Sequence, residues 1–422
     1  MDAYENELGW LNPEYCPKLD RIVVCLDMDE FRVQVEEFED VDVGIWQQQY
    51  RPIVVATQSS KRLGTISSFL ITIILTARNN NGSIKLLGFN IYGYHRISLC
   101  RLLSVNYAAR RLGIKPANEE KRTVDDLIYE YGYAGLKVHY PKMRYGREDM
   151  FTPEKYMNNV YNALENYRQK LANPNSIIIE WAKMEEIYVD VTGLVRQRYG
   201  PWGRPPAESP VLALCHSFKN YPNWDAPRTV LEDKHGPLSG WMLEEKISDW
   251  DYCADVGKRL IHGGVIANAI VNDIKKDTGM KASAGVSHTK LLSRLACQMN
   301  KPQGTTILSF PGFVRLSSEI KIGRIHGYGQ SLAEKLAERY FNDHGIRLET
   351  FADVQKLSGG AIYDLQGVFL DVFPGIRQIT AQQKAEKLVK NCHGNDNQVV
   401  QCSSFFKKTM EASASIPSGK LC

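Results

Sequence analysis

The chain has 422 residues, of which 43% are hydrophobic and 24% are charged, and its formal net charge is +4. This composition can form real hydrophobic cores, and the length predicts two to four domains. The charge allows nucleic-acid binding through local patches but does not argue for it. The longest apolar run, Ile66 to Ala77, contains Ser and Thr and is too short to span a bilayer, so we expect no membrane segment.

The cysteines and the N-terminus bear on the cellular compartment. Nine cysteines are scattered along the chain without a Cys-x-x-Cys pair. A zinc site or a disulfide scaffold is therefore not expected, and a reducing compartment fits better. The first residues, Met1 to Glu5, carry no signal-peptide pattern.

The first predicted element is a buried strand, Ile22 to Leu26, which is followed by Asp27 and Asp29. A second acid pair, Glu185-Glu186, precedes another apolar stretch far downstream. If the two strand ends meet, their carboxylates form an oxygen-rich site for hard divalent metals, and paired metals of this kind promote phosphoryl transfer. Ordinary surface acids at strand ends are the alternative, and the acids alone favour it.

Hydrophobic patterns predict further elements in chain order. They are a helix from 31 to 39, a strand from 51 to 56, helices over 107–112 and 149–171, a strand with the second acid pair, a helix from 249 to 278, a strand from 281 to 286 and a helix from 291 to 300. The Pro-, Gly- and Trp-rich stretch from 201 to 241 is predicted to be irregular.

Two segments fit poorly into this succession. Residues 62–102 form a long insertion whose apolar residues show no clean helical or strand period. A translated intron or another gene-prediction error is favoured for this insertion, and a surface loop is the alternative. Residues 368–391 are a second unexpected segment.

The stretch from Ile322 to Ala333 has the pattern of a helix-hairpin-helix motif. Gly327 and Gly329 would allow a tight hairpin, and the amides that open the next helix could hold a DNA phosphate. A purely structural turn between two helices is the alternative.

Four motifs, taken together, resemble those of the Y-family DNA polymerases and occur in the family's order. They are the stretches from Leu26 to Glu36, Val105 to Arg110, Met184 to Thr192 and Ala284 to Pro302. None of them is specific alone, but together they anchor about the first three quarters of the chain.

The resemblance implies an α+β fold shaped like a right hand, with a palm made of a mixed sheet and helices, fingers and a helical thumb. It implies the following division: palm over 1–30 and 151–310, fingers over 31–150 with the insertion 62–102, thumb with the hairpin motif over 311–395, and the start of a little-finger domain over 396–422. Most of the little-finger domain would be missing.

The resemblance also implies a metal site. Asp27, Glu185 and Glu186, together with the backbone carbonyl of Met28, would bind two Mg²⁺ ions, with Mn²⁺ as an alternative ion. Asp29 is expected to be structural. Glu185 departs from the family, which has aspartate there, and the extra methylene displaces the carboxylate and is expected to slow catalysis.

Further roles are implied for the nucleotide site. Tyr107, Arg110 and Lys301 would bind the incoming triphosphate, and Phe31 would pack beside the nucleotide. Arg32 stands where the family has a bulky aromatic residue that excludes the ribose 2′-hydroxyl, so weak sugar discrimination is expected. Without the resemblance, Tyr107 and Arg110 would be a surface pair, and Lys301 would be a partner of a helix dipole.

Other positions have implied roles in binding DNA or template. Arg294, Gly327 and Gly329 are the candidates for binding DNA. Pro116 replaces an arginine expected over the templated base, and Gln58 lies near another expected nucleotide contact.

The sequence thus predicts a nuclear DNA-directed DNA polymerase of the translesion type that acts on primed template DNA and dNTPs. A sliding clamp is a partner by resemblance, although the sequence shows no clamp-binding motif. The alternative is a catalytically impaired DNA-binding relic or truncated gene product of the same family, which the residues at 185 and 32 and the insertions favour. An unrelated scaffold protein is a third and more distant interpretation.

Overall fold

The computed structural model describes most of the chain in segments. These are residues 14–58, 70–78, 84–92, 100–115, 120, 122–141, 143–144, 147–148, 151–199, 229–233, 236–240, 250–325, 327–357 and 361–403. Among the helices in these ranges, none combines the length and the apolar character needed to cross a membrane.

The strands are numbered in chain order. They are β1 Val23–Met28, β2 Ile53–Gln58, β3 Leu70–Arg78, β4 Ile84–Tyr92, β5 Cys100–Val105, β6 Lys137–His139, β7 Met143–Arg144, β8 Arg147–Glu148, β9 Ile178–Trp181, β10 Glu186–Asp190, β11 Thr229–Asp233, β12 Gly236–Gly240, β13 Ala282–Ser287 and β14 Thr305–Ile307.

The α-helices are numbered in the same way. They are α1 Phe31–Glu39, α2 Val41–Gln48, α3 Tyr107–Arg111, α4 Val124–Gly135, α5 Phe151–Gln169, α6 Thr192–Tyr199, α7 Trp250–Thr278, α8 Lys290–Met299, α9 Phe310–Leu316, α10 Gln330–His344, α11 Phe351–Gln355, α12 Ala361–Val372 and α13 Gln378–Cys392. The strand predicted at 22–26 is β1, and the predicted helices at 31–39, 107–112, 149–171, 249–278 and 291–300 are α1, α3, α5, α7 and α8.

The chain divides into two compact units. The first comprises Met1–Asp29 and Met157–Cys422, and the second comprises Glu30–Tyr156. Both contain helices and mixed sheets, so the fold is a mixed α/β fold. The assignment of palm, fingers, thumb and little finger to particular ranges stays a prediction.

A five-stranded sheet in the order β14-β13-β1-β10-β9 organises the first unit. Strand β1 runs antiparallel to both β13 and β10, whereas β13 and β14 are parallel. The central position of β1 explains its continuous apolar sequence, because a strand with neighbours on both edges and cover on both faces has few polar positions. Its residues from Val23 to Leu26 have no solvent exposure.

Helix α8 lies unusually close to this sheet at Gly285 in β13. A Cβ atom at this position would come within 2.0 Å of the Ser293 carbonyl oxygen and 2.2 Å of the Cys297 nitrogen. Only glycine allows two backbones to approach this closely. The result is that α8 and the residues after it are held against the face of the sheet that carries the Cys25 side chain, which contacts Cys297.

The C-terminal helices of the first unit form a second core around three buried phenylalanines. Phe313, Phe351 and Phe369 are fully buried, and α12 and α13 pack in the same cluster. Each fully buried side chain of this kind contributes about 1.5–3 kcal/mol. The unexpected segment 368–391 is therefore an integral part of this core, which the hydrophobic pattern did not indicate.

The second unit is built on a smaller mixed sheet in the order β5-β2-β6. Strand β2 is antiparallel to β5 and parallel to β6. One face of β2 packs with α3 and α4 through Val54, Ala109 and Leu127, and the other packs with α1 and α2 through Val33 and Val43. The sheet thus fixes the start of α3, which carries two of the predicted nucleotide ligands.

The insertion 62–102 contains regular structure. Strands β3 and β4 form an antiparallel hairpin in which Leu70 pairs with Tyr92 and Arg78 pairs with Ile84. The sequence showed no clean strand period in this segment, because consecutive apolar residues such as Ile73, Ile74 and Leu75 hide the alternation of a strand. Part of the stretch predicted to be irregular, 201–241, is also a hairpin, β11–β12, and its remainder lies outside the described residues.

Candidate active site

The two predicted acidic motifs meet on neighbouring strands of the first unit. Asp27 in β1 is paired directly with Glu186 in β10. Residues opposite each other in an antiparallel pair project from the same face, about 5 Å apart at Cβ. Both side chains are largely buried, with exposures of 17% for Asp27 and 7% for Glu186. Two carboxylates therefore share a small region of low solvent access.

A lysine after α8 compensates the first carboxylate. The Nζ atom of Lys301 lies 2.9 Å from Asp27 Oδ2 and 3.9 Å from Asp29 Oδ1. Because Gly285 lets α8 approach the sheet, Lys301 follows the helix directly above the end of β1. The lysine that the resemblance assigns to the triphosphate is thus in contact with a predicted metal ligand.

Asp29 has a different environment. The Ser283 hydroxyl donates to both of its carboxylate oxygens, at 2.8 and 3.0 Å. The Gln303 amide donates a 2.7 Å hydrogen bond to Oδ2. These contacts tie β1 to β13 and to the loop after α8, which agrees with the structural role expected for Asp29.

Glu186 has its own set of partners. Arg294 Nε lies 3.1 Å from Glu186 Oε2, and Lys183 Nζ lies 3.7 Å from the same atom. The Tyr188 hydroxyl donates a 2.7 Å hydrogen bond to Glu186 Oε1. Burial, with nearby Cys25 and Glu186, raises the pKa of Tyr188, so its hydroxyl stays protonated as a donor.

The protonation of the Asp27–Lys301 pair follows from its burial. Burial raises the pKa of the Asp27 carboxyl, Lys301 lowers it, and the neighbouring Glu186 and Asp29 raise it, with a net shift upward. Burial would lower the pKa of the Lys301 amine, but Asp27 and Asp29 raise it above its ordinary value. The region therefore holds an incompletely compensated carboxylate beside a permanently charged amine.

Glu185 and Met28 occupy the edge of the site. Glu185 is exposed on the turn that precedes β10, and its carbonyl oxygen accepts a 3.0 Å hydrogen bond from the Met28 amide. Met28 is the last residue of β1 and is buried. The two chain segments are thus fixed to each other at their backbones.

The chemistry of these donors suits Mg²⁺, since carboxylate and carbonyl oxygens are its preferred ligands. Burial is the largest cause of the raised pKa of Asp27, and a cation close to a buried carboxylate favours its charged form. Within the ranges that the structure describes, however, no three acidic, histidine or cysteine side chains are gathered as an ion-binding group. The assignment of Asp27, Met28, Glu185 and Glu186 as metal ligands stays a prediction.

Tyr107 and Arg110 lie together in the second unit. The guanidinium carbon of Arg110 is 4.9 Å from the centre of the Tyr107 ring, and Arg110 Nε donates to the Val105 carbonyl at 3.1 Å. Asn106 caps the helix by accepting hydrogen bonds from the Ala109 amide, at 2.9 Å, and from the Ile53 amide, at 3.0 Å. The pair thus stands at the rigid start of α3.

Glu30 is a buried residue that the sequence did not single out. Its backbone lies in the left-handed region, with φ of 48°, and its carboxylate accepts hydrogen bonds from the Tyr107 amide and from Gln47 Nε2. The Asn106 amide group donates to Gln47 Oε1 at 2.8 Å and completes the network. The only available signal was an acid between Asp29 and the apolar start of α1.

Phe31 and Arg32 open α1. Phe31 is 2% exposed, and Arg32 is half-buried in the first helical turn. The side chain of Gln58 and the whole of Pro116 lie outside the described residues.

The predicted hairpin motif has the backbone that its glycines suggested. A short 3₁₀ turn, Ile322–Arg324, precedes Gly327, whose φ is +90°. Gly329 is the N-cap of α10, while His326 lies outside the described residues. Ile325 and Tyr328 anchor the hairpin in the core, and the Tyr328 hydroxyl donates to the Lys384 carbonyl at 2.8 Å.

Comparison with known proteins identifies the family. Residues 26–298 match the impB/mucB/samB family, which is well over half of the chain. The chain belongs to this family, the Y-family DNA polymerases. The match contains the first and second acidic motifs, the Tyr107–Arg110 pair and most of α8.

Individual relatives agree with this membership. DNA polymerase eta of Drosophila melanogaster is 25% identical over 337 residues, covering 76% of this chain and 31% of the relative. DNA polymerase IV of Exiguobacterium sibiricum is 32% identical over 136 residues, covering 32% of each chain. DNA polymerase IV of Shewanella amazonensis is 38% identical over 92 residues, covering 22% of this chain and 24% of the relative. The chain spans about a third or less of the length of these curated relatives.

Proposed function

We propose that this Y-family member is a DNA-directed DNA polymerase of the translesion type. It would transfer a nucleotidyl group from a dNTP to the 3′-hydroxyl of a primer on damaged template DNA. The observation that carries the proposal is the direct pairing of Asp27 with Glu186, each next to a cation. The relation to a eukaryotic polymerase favours the nucleus as its location.

The residues of the first unit supply the proposed chemistry. Asp27, Glu186, Glu185 and the Met28 carbonyl would hold Mg²⁺, which in such sites activates the primer hydroxyl and neutralises the triphosphate. Lys301 is already aligned on Asp27 and would turn its charge to the triphosphate when that carboxylate has another partner. The buried walls limit water near the reacting groups and strengthen these charge interactions.

The residues of the second unit would bind the nucleotide. Arg110 has hydrogen-bond donors beyond the Nε that Val105 engages, and they are suited to phosphate oxygens. Tyr107 orients the guanidinium through its ring. Phe31 would pack beside the sugar, and Arg32 would stand next to its 2′-hydroxyl.

Primer extension with purified protein tests the proposal. The Asp27→Asn variant keeps the size of the side chain but removes its charge, so we expect extension to fall by at least about a hundredfold. Asp42 is a carboxylate on α2 with 80% exposure, and Asp42→Asn is the matched control that should keep wild-type activity. Equal activity of the Asp27→Asn variant and the wild type would contradict the proposal.

Metal binding has a separate test that does not depend on turnover. A ligand that binds only the folded protein raises its stability with concentration. Adding Mg²⁺ should therefore raise the melting temperature of the wild type more than that of Asp27→Asn. The same shift in both proteins would place the bound ion elsewhere.

DNA binding without synthesis is the second candidate function. The exposed Glu185, with glutamate in place of the family's aspartate, favours it. In this case, purified protein would bind primed DNA but would not extend it, and Gly327→Ala would weaken binding because alanine is strained at φ of +90°. Gly367→Ala, at a helical position with open space around it, is the control that should leave binding unchanged.

A further inference from the structure

Lys183 is a third cation at the carboxylate site, next to Glu186. Its Nζ atom lies 3.7 Å from Glu186 Oε2, and the Arg294 Nε atom lies 3.1 Å from the same oxygen. One carboxylate oxygen therefore has two cations beside it, one from the turn before β10 and one from α8. Together with Lys301 on Asp27, three cations surround two largely buried acids.

The two oxygens of Glu186 are engaged in different ways. Oε1 accepts the hydrogen bond from the Tyr188 hydroxyl. Oε2 accepts no hydrogen bond from the part of the chain that the structure describes, because Lys183 Nζ is too distant for one and the Nε–H of Arg294 is not aligned with it. Cations thus balance the charge of Oε2 while its lone pairs stay unused, and such an oxygen is able to coordinate a hard divalent ion.

Lys183 is the cation that is held least firmly. Its side chain is 42% exposed, compared with 21% for Arg294 and 17% for Lys301. Lys301 makes a 2.9 Å contact with Asp27, which is within hydrogen-bonding distance, whereas the 3.7 Å contact of Lys183 is not. An ion that enters from solvent therefore displaces Lys183 at the lowest cost.

The backbone nevertheless keeps Lys183 close to the site. The amides of Ala182 and Lys183 both donate to the Glu186 carbonyl, at 3.0 and 3.1 Å, and close the turn between β9 and β10. If the Lys183 side chain rotates into solvent, its charge remains within about 10 Å of Glu186, the distance over which exposed charges interact at ordinary ionic strength. A change of rotamer alone does not remove its influence.

We infer that Lys183 competes with a divalent cation for Glu186 and thereby lowers the metal affinity of the carboxylate site. The inference rests on the proposed function for the presence of this ion. The lysine acts on both states of the site. It stabilises the ion-free protein by limiting the repulsion between Asp27 and Glu186, and it repels a second cation at the same oxygen.

The first experiment measures the binding of Mn²⁺ to the full chain by electron paramagnetic resonance, which detects the free ion. Lys183→Met keeps a long side chain but removes its charge, so the affinity should rise about three- to tenfold. Lys183→Gln, a second neutral variant, should behave in the same way, and Lys183→Arg should retain the affinity of the wild type.

A matched control excludes a general effect of net charge. Lys170→Met removes a positive charge at an exposed position directly after α5 and should leave the affinity for Mn²⁺ unchanged. Unchanged affinity in both neutral variants at position 183 would overturn the inference. An equal gain in Lys170→Met would overturn it too, since the gain would not depend on contact with Glu186.

The second experiment separates competition for the ion from a purely structural role. Without an ion, Lys183→Met should melt slightly below the wild type, because Glu186 has lost one of its cations. In excess Mn²⁺ this difference should disappear or reverse, since the variant binds the ion more tightly and binding stabilises the folded state. Circular dichroism measures both melting temperatures. The same deficit with and without Mn²⁺ would mean that Lys183 has only a structural role.

These measurements separate the inference from the proposed function. They are made without DNA and without nucleotide, so they do not require synthesis. Tighter Mn²⁺ binding by Lys183→Met would support the inference even if primer extension fails. Extension by the wild type, with equal Mn²⁺ affinity in the wild type and Lys183→Met, would retain the polymerase and reject the inference. If neither protein binds Mn²⁺, the inference fails, and extension by Asp27→Asn still tests the proposed function.

Discussion

Asp27 and Glu186 face each other across two antiparallel strands, yet each carboxylate contacts a different cation. Lys301 contacts the first, and Arg294 contacts the second. Without a divalent ion, these cations limit the repulsion between two buried acids. Lys301 is also proposed to bind the triphosphate, so it has one partner within the protein and another in the substrate.

The Lys301 contact has a consequence for stability. Lys301→Met would leave the largely buried Asp27 without its cation, and we expect the free energy of unfolding to fall by about 3 kcal/mol. Adding Asp27→Asn should recover part of this loss, because the uncompensated charge is gone. Urea unfolding of the two single variants and the double variant measures the coupling. Lys335→Met, at an exposed position of α10, serves as the control, and equal losses in Lys301→Met and Lys335→Met would refute the prediction.

Shortening the side chain at 185 should favour catalysis. Glu185→Asp removes the extra methylene and restores the residue that the family has there, so we expect the rate of nucleotide addition to rise about tenfold or more. Single-turnover extension at saturating dNTP measures this rate. Glu185→Gln should lower it, since the charge is lost while the length is kept. A slower Glu185→Asp variant would show that the site is adapted to glutamate.

The residue at position 32 should determine how strongly the protein prefers dNTP over rNTP, and Arg32 should make this preference weak. An aromatic ring is flat and rigid, whereas arginine can move away from a 2′-hydroxyl, so Arg32→Tyr should raise the ratio of dNTP to rNTP kcat/KM at least about tenfold. Arg32→Lys keeps a long flexible cation and should leave the ratio low. If the wild type already discriminates strongly, another residue excludes the ribose.

The hydrogen-bond network of Glu30, Gln47 and Asn106 at the start of α3 can be tested by exchanging its polar groups. Glu30→Gln would bring two amide NH₂ groups together at Gln47, and we expect a loss of about 1–3 kcal/mol in stability. It should also raise KM for dNTP, because Glu30 holds the amide of Tyr107.

A second substitution should restore the hydrogen bond that Glu30→Gln removes. Adding Gln47→Glu to Glu30→Gln restores a donor opposite an acceptor, and should recover both stability and KM. Gln47→Glu alone would place two carboxylates side by side and should destabilise the protein. A double variant no better than the singles would mean that the network does not position Tyr107.

His288 predicts a loss of stability in acid. Its Nδ1–H donates to the Arg21 carbonyl at 2.9 Å, and burial lowers its pKa to about 4. Because the folded-state pKa is below the ordinary value of about 6.5, burial of the neutral imidazole contributes to stability. This contribution is fully present above pH 6.5 and is lost as the pH falls towards 4. The loss amounts to roughly 3 kcal/mol. Urea unfolding from pH 7.5 to 4 should show a shallower decline for His288→Gln, and parallel profiles would exclude the histidine as the cause.

The local elements of the site could be predicted from the sequence because each has a strong local pattern. β1 is a continuous apolar run, and α7 and α8 have long helical periods. Their packing could not be predicted in this way. The contacts of Lys301 with Asp27 and of Arg294 with Glu186 join residues more than a hundred positions apart, and only the register of the sheet brings them together.

Other features were missed for identifiable physical reasons. The hairpin β3–β4 lacks an alternating pattern, and the helices α12 and α13 have no counterpart in the motifs that the sequence offered. Glu30 was missed because nothing in a sequence marks a non-glycine residue with positive φ.

The close contact at Gly285 restricts how Lys301 and Arg294 can move away from their carboxylate partners. With the backbone of α8 in contact with β13, the helix cannot withdraw from the sheet without opening the core. Lys301 and Arg294 can therefore leave their carboxylates only by rotation of their own side chains. An exchange of partners at these carboxylates therefore needs no movement of the backbone of α8.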